Sequence, residues 1–369
     1  MDLYDQFRGD DALIPRMGHA PGPGYEGSMR PRFFPTLVNG RFGDPALYVG
    51  FLLERRAMLF DLGDLHALPP RRILRLSDIF VSHAHVDHFI GFDHLLRVII
   101  GRDMRLRLYG PGGFSDRVGA KLAAYTWNLA GQFRTELVLE VTEVLGPNEG
   151  RVARFRLKKG FAREDLGRAG ISGGVLRDEN SLRVSCAVLD HRTPCLGFAL
   201  QEKAHVNVWR NRLAERGLAT GPWLSWLKAA ILADLPDDTP VPVQWLDSRG
   251  PRKKTLPLGA LRETVATVTP GQKIGYITDA APSAENAHAI LELVGEADTL
   301  FIEAAFAEAD SALADERAHL TTHRAGQLAR EAGAARVEPF HFSSRYAGEE
   351  ARMIQEVEAA YRGTAPERS

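Results

Sequence analysis

Apolar residues fall in short runs broken by polar, Gly- or Pro-bearing stretches, the pattern of strands alternating with amphipathic helices. The runs at 46–53 and 57–60 predict paired strands, with Glu54-Arg55-Arg56 at the turn. Ile79-Phe80-Val81 predicts a buried strand, and 105–109, 137–144, 152–157 and 182–189 predict further strands. Helical spacing appears over 92–100 and 115–132, and again over 284–294 and 321–331, where each segment opens with a capping residue. Gly110-Pro111-Gly112-Gly113 reads as a turn rather than a phosphate loop. Such alternation predicts a layered α/β protein with sheet inside and helices outside.

The ends and one internal segment differ in texture. Residues 1–31 are rich in Gly, Pro and charge and predict an irregular leader, and 363–369 predict a loose tail. Between them, 32–362 is expected to form the main folded body. Inside it, 199–272 departs from clean alternation and predicts an inserted arm or lid. Positions 199–258 hold four of the five tryptophans, Trp209, Trp223, Trp226 and Trp245, and nine Lys and Arg against six Asp and Glu.

Composition narrows the class. A 369-residue chain with 44% hydrophobic and 25% charged residues suits a globular protein. No apolar run approaches a membrane span, and the polar start Met1-Asp2-Leu3-Tyr4-Asp5 lacks the character of a signal peptide. Two cysteines, Cys186 and Cys195, give no disulfide framework and suggest buried thiols in a reducing cytoplasm. The net charge of −1 offers no global basic surface, so a nucleic-acid partner requires a local patch.

The chemistry begins at Ser82-His83-Ala84-His85-Val86-Asp87-His88, directly after the buried run 79–81. Three imidazoles and a carboxylate on one tight turn form a donor set for first-row metals, and clustering them beside a core is costly unless something binds them. Further polar residues end other apolar runs: Asp61 after 59–60, Asp190-His191 after 184–189, Asp279 after 274–278, Glu303 after 299–302 and His341 after 337–340. Groups at the carboxyl ends of strands converge on one rim of a sheet.

This set resembles the metallo-β-lactamase superfamily, and within it the RNase Z family of tRNA 3′-processing endoribonucleases. The wider likeness rests on Asp61, on His83-Ala84-His85-Val86-Asp87-His88 with Gly91 following, and on His191, Asp279 and His341. The narrower one rests on Leu189-Asp190-His191 before Leu196-Gly197-Phe198, on Glu303-Ala304-Ala305-Phe306, on His319-Leu320-Thr321, and on His341-Phe342-Ser343-Ser344-Arg345-Tyr346. Together these span about 45–350. The resemblance departs after Asp61, where Leu62-Gly63-Asp64-Leu65-His66 replaces a Gly-Glu-Gly-Thr-like stretch.

The resemblance implies an αββα sandwich of two mixed sheets flanked by helices, with an arm inserted after the third histidine motif. It implies one metal on His83, His85 and His191, a second on Asp87, His88 and His341, and Asp279 bridging them. Zinc is expected, with manganese or iron as alternatives, since His and Asp sites accept all three. Asp61 is expected to orient a ligand imidazole rather than to ligate. Asp87 is expected to take a proton from the attacking water, and Glu303 with His319 to protonate the leaving 3′-oxygen. Strand-end pairing for Glu303 and a place beside a helix cap for His319 are the structural alternatives.

Arg345 is a candidate phosphate contact, or half of an ion pair. Arg210, Arg212, Lys253 and Lys254 are candidate RNA contacts on the arm, where the tryptophans either stack on bases or bury. His323 is expected to share a helical face with His319, and His94 to lie in the core or on a helix surface. The implied partner is precursor tRNA, and the implied assembly a homodimer. The competing expectation is a hydrolase of a small phosphodiester or other ester with no tRNA role. A non-catalytic RNA-binding scaffold is a third reading, disfavoured by so full a set of metal donors.

Overall fold

The computed structural model describes residues 32–364, apart from 53, 248 and 249. The leader expected over 1–31 and residues 365–369 of the expected tail lie outside the described residues.

The first sheet takes its eight strands in chain order: β1 (Phe33–Leu37), β2 (Leu47–Phe51), β3 (Ala57–Phe60), β4 (Leu76–Phe80), β5 (Met104–Pro111), β6 (Leu137–Gly146), β7 (Glu149–Arg156) and β8 (Arg163–Arg168). Strands β3 to β6 run parallel, and antiparallel pairs flank them on both sides. Parallel connections need crossovers, and helices supply them: α1 (Pro70–Ile73) before β4, then α2 (Val86–Phe89) and α3 (Phe92–Ile99), and α4 (Phe114–Ala123) before β6.

The second sheet joins β9 (Val175–Asp178), β10 (Leu182–Asp190) and β11 (Pro194–Glu202) to β16 (Lys273–Ile277), β17 (Thr299–Glu303) and β18 (Val337–Phe340), in the order β18-β17-β16-β11-β10-β9. Only β16, β17 and β18 are mutually parallel. Between the sheets lies an aromatic core in which Phe60 stacks on Phe80 at 5.0 Å and Tyr276 meets Phe340 at 5.2 Å. A second core packs the first sheet against α3 and α4. A third packs the other sheet against α8 (Ala284–Val294), α10 (Thr322–Glu331) and α11 (Glu350–Arg362). The result is a four-layer αββα sandwich.

Between β11 and β16 the chain builds a separate layer of β12 (His205–Val208), α5 (Arg210–Glu215), α6 (Trp223–Leu232), the hairpin β13 (Pro240–Asp247) and β14 (Gly250–Pro257), α7 (Leu258–Val265) and β15 (Ala266–Thr269). Its core, from Val206 to Ala266, shares no residue with the other three. The segment expected as an arm from position 199 thus leaves the sheet only after Glu202, because 199–202 still pair with β10. Trp223 is buried in that core, whereas Trp209 and Trp226 are exposed.

Two local expectations are corrected. The helix expected over 115–132 stops at Ala123. There the Trp127 indole turns back, donates to the Leu122 carbonyl at 2.8 Å and packs edge-on against Phe161. An indole that satisfies a helix-end carbonyl ends the helix, and a 3₁₀ turn at Ala130–Gln132 follows. His323 does not share a helical face with His319: it is exposed on α10, and His319 precedes the Thr321 cap of that helix.

Candidate metal centre

Every candidate ligand lies just beyond the carboxyl end of a strand, so both sheets empty onto one rim. Asp61 follows β3, the histidine turn follows β4, His191 follows β10, Asp279 follows β16 and His341 follows β18; Glu303 ends β17. Three of these residues turn the chain sharply. Asp61, Asp279 and His341 have φ of 59°, 46° and 60°, left-handed values that cost non-glycine residues about 1–3 kcal/mol each. Holding such side chains there requires a compensating structure. Gly91 helps provide it: its amide donates to the Leu62 carbonyl at 2.9 Å, and a Cβ would lie 2.0 Å from the Gly63 carbonyl oxygen.

Asp279 sits at the middle of the cluster. Its Oδ2 lies 3.5 Å from His83 Nε2, 3.5 Å from His88 Nε2 and 3.3 Å from His191 Nε2, and its Oδ1 lies 3.0 Å from His341 Nδ1. Asp87 Oδ2 lies 3.5 Å from His88 Nε2 and 3.3 Å from His341 Nε2. His83, His85, His191 and Asp279 present donor atoms all within 4.8 Å of one another, as do Asp87, His88 and His341. Asp279, Glu303, His319 and His341 form a third such group.

The imidazoles are set by neighbours that were only partly legible. Asp61 accepts from Ser82 N at 2.6 Å, Ser82 Oγ at 2.9 Å, His88 Nδ1 at 2.9 Å and the Tyr276 hydroxyl at 2.8 Å. The Ala318 carbonyl accepts from His191 Nδ1 at 2.8 Å. Both contacts fix a tautomer that turns Nε2 toward Asp279. Glu303 is fully buried and accepts from Ala280 N at 2.7 Å, His319 Nδ1 at 2.8 Å and Leu320 N at 3.3 Å. Tyr276 and Ala318 gave no sign in the sequence, because each acts through a contact between distant strands or loops.

Buried polar atoms ordinarily find partners, so those that do not are informative. Among the described residues, His83 Nε2, His88 Nε2 and His341 Nδ1 are buried and make no hydrogen bond. All three face Asp279, and a cation between them and the carboxylate satisfies nitrogen and oxygen together. The electrostatics agree. Burial opposes charge on His88, yet the Asp279 and Asp61 carboxylates push it up to about 10. Burial likewise opposes charge on His341, and Asp279 lifts it well above the ordinary histidine value. Burial, then the His88 charge, drives His83 down to about 2. Burial raises Asp87, but the hydrogen bond from His341 brings it down to about 2. The carboxylates thus call for positive charge at the centre, and divalent metals fit the donor set.

A cavity of about 360 Å³ opens onto these groups, lined by His85, Asp87, Asp279, His319, His341, Asp44, Arg317, Phe306 and the Ser343-Ser344 loop among others. Burial, with the nearby Asp87 charge, raises the Asp44 carboxyl. Arg345 does not line this cavity; its Nη1 lies 3.8 Å from Asp310 Oδ1. Arg210, Arg212, Lys253 and Lys254 are exposed on the inserted layer, also outside the cavity, with the Arg212 guanidinium 5.7 Å from the Trp209 ring. His94 is half-buried on α3, its ring 4.3 Å from that of His66.

A four-layer sandwich whose sheets deliver His-x-His-x-Asp-His, His191, Asp279 and His341 to one rim is a metal-dependent hydrolase of metallo-β-lactamase fold. A profile described as "Beta-lactamase superfamily domain" matches residues 225–342. A protein named Ribonuclease Z from Deinococcus radiodurans is 33% identical over 78% of this chain and 83% of its own length. Ribonuclease Z from Brevibacillus brevis is 29% identical over 81% of this chain and 80% of its own. Among solved structures, the short form of human tRNase Z is 20% identical over 85% of this chain and 93% of its own, with a TM-score of 0.46. The chain belongs to the ribonuclease Z family. Among the described residues, no helix is long and apolar enough to cross a membrane.

Proposed function

We propose that this protein removes the 3′ trailer from precursor tRNA, cutting one phosphodiester after the discriminator nucleotide with an activated water. The observation that carries the reading is the convergence on Asp279 of three buried imidazole nitrogens that make no hydrogen bond among the described residues. Family membership directs that centre to RNA.

In this reading His83, His85 and His191 would hold one ion and Asp87, His88 and His341 the other, with Asp279 available to both. Two divalent ions, zinc by the donor set with manganese or iron as alternatives, supply when bound a water acidified toward neutrality and positive charge beside the attacked phosphoryl group. Asp61 holds His88 in the required tautomer, and the Ala318 carbonyl does the same for His191. Asp87, ionised at neutral pH, accepts the proton of the attacking water. The water oxygen bonds to phosphorus as the bond from phosphorus to the 3′-oxygen breaks.

That oxygen leaves poorly as an alkoxide, and His319 gives it a proton. Burial opposes protonation of His319, but Glu303 overrides this and raises its pKa. Because Nδ1 is committed to Glu303, Nε2 is the nitrogen that donates. The products are a tRNA ending in a 3′-hydroxyl and a trailer beginning with a 5′-phosphate. The inserted layer, with Arg210, Arg212, Lys253 and Lys254 exposed, is the arm that grips the tRNA body, and a homodimer in the cytoplasm is the expected setting. Mapping the product ends tests the reading: a 3′-hydroxyl on the discriminator supports it, whereas a 3′-phosphate or a cyclic phosphate contradicts it.

A further inference from the structure

Among the residues lining the active-site cavity, Arg317 alone is a lysine or arginine, and it shares that lining with the carboxylates of Asp44, Asp87 and Asp279. It is exposed, and among the described residues its side chain makes no hydrogen bond, ion pair or ring contact. Neighbouring arginines are committed. Arg324 pairs with Asp315, Arg345 lies 3.8 Å from Asp310, and Arg352 lies 2.8 Å from Glu349 and 3.2 Å from Glu356.

The backbone that carries Arg317 is fixed to the reaction centre. The next residue, Ala318, turns left-handed at φ 59° and offers its carbonyl to His191 Nδ1 at 2.8 Å. The residue after that, His319, donates to Glu303 at 2.8 Å through Nδ1 and to the Ala314 carbonyl at 2.9 Å through its amide. An unpaired guanidinium that lines the cavity, carried on a backbone fixed next to the proton donor, is arranged for an anion that arrives with the substrate. Phosphate fits the planar fork of a guanidinium best.

We propose that Arg317 binds a backbone phosphate of the RNA next to the scissile one, on the leaving-group side. That phosphate is the 5′-phosphate of the nucleotide whose 3′-oxygen departs. The assignment rests on the reading of precursor tRNA as substrate and on His319 as the donor to the leaving oxygen. It makes Arg317 a specificity residue, since a single small phosphodiester has no second phosphate to offer.

The test pairs R317A with a precursor tRNA carrying one neutral methylphosphonate at that linkage. Losing a charge-assisted contact lowers kcat/KM about 10- to 100-fold. The wild type is expected to lose this much on the modified RNA, and R317A this much on the natural RNA. R317A on the modified RNA is expected to lose nothing more, and R317K to recover part of the loss on natural RNA. Losses that multiply, or full activity of R317A on natural RNA, overturn the assignment. Cleavage of unmodified precursor by the wild type keeps the two ideas separate: intact precursor there overturns the tRNA reading and the assignment with it, whereas cleavage with multiplying losses overturns the assignment alone.

Discussion

The Asp61 carboxylate accepts from His88 Nδ1 at 2.9 Å, with both side chains fully buried. This contact decides which nitrogen of His88 faces Asp279 and Asp87. The same carboxylate also satisfies Ser82 and the Tyr276 hydroxyl from the opposite sheet. Asp61→Ala therefore leaves several buried donors unpaired and is expected to cost about 3–5 kcal/mol of stability. Metal affinity is expected to fall about 10- to 100-fold. Thermal denaturation and competition with a calibrated chelator measure the two effects, and unchanged metal affinity in a folded variant rules out the orienting role.

Metal binding at this centre must displace protons. Without metal, Asp279 and Asp61 hold His88 protonated up to about pH 10, and Asp279 keeps His341 protonated as well. Ligand nitrogens bind as neutral imidazole, so binding is expected to release about two protons near pH 7. Affinity then rises with pH across the neutral range, the direction set by raised histidine pKa values. Calorimetry in buffers of different ionisation enthalpy counts the protons. A count of zero shows that metal does not displace protons from these two histidines.

Glu303 raises the pKa of His319, and the reaction needs that proton in place. Activity is therefore present below the raised value and lost as pH climbs through it. Glu303→Gln removes the nearby negative charge, so the alkaline limb of kcat is expected to move to lower pH. At neutral pH the rate is expected to fall about 10²- to 10⁴-fold, the range for losing general acid–base assistance. A limb that stays in place assigns the titration to another group.

Trp223 tests the independence of the inserted layer. It is buried in a core that shares no residue with the body, and its indole donates to the Ala219 carbonyl at 3.2 Å. Trp223→Ala is expected to destabilise that layer by about 3–5 kcal/mol. Faster amide exchange is expected across 205–269, with β16, β17 and β18 protected as before. Exchange that rises equally in the body shows the layer to be part of one cooperative unit.

Much of this was legible because function sits at strand ends. Short apolar runs ending in Asp61, His191, Asp279, Glu303 and His341 mark five rim positions, and the spacing of His83, His85, Asp87 and His88 fits one turn. The orienting contacts were hidden, since the hydroxyl of Tyr276 and the carbonyl of Ala318 reach the site only through tertiary packing. Helix spacing misled over 115–132, where a side-chain hydrogen bond from Trp127 overrides local pattern. Among arginines the sequence favoured Arg345 for its motif, while Arg317 faces the cavity because α9 (Ser311–Arg317) ends there. A helix end of that kind has no periodic signature.

The most direct measurement is cleavage of a precursor tRNA bearing a 3′ trailer by metal-loaded protein, beside H83A, chelator-treated protein and a simple phosphodiester. The account predicts one cut after the discriminator nucleotide, abolished by the chelator and by H83A. Intact precursor alongside hydrolysis of the simple phosphodiester would contradict it, leaving a working metal centre without an RNA substrate.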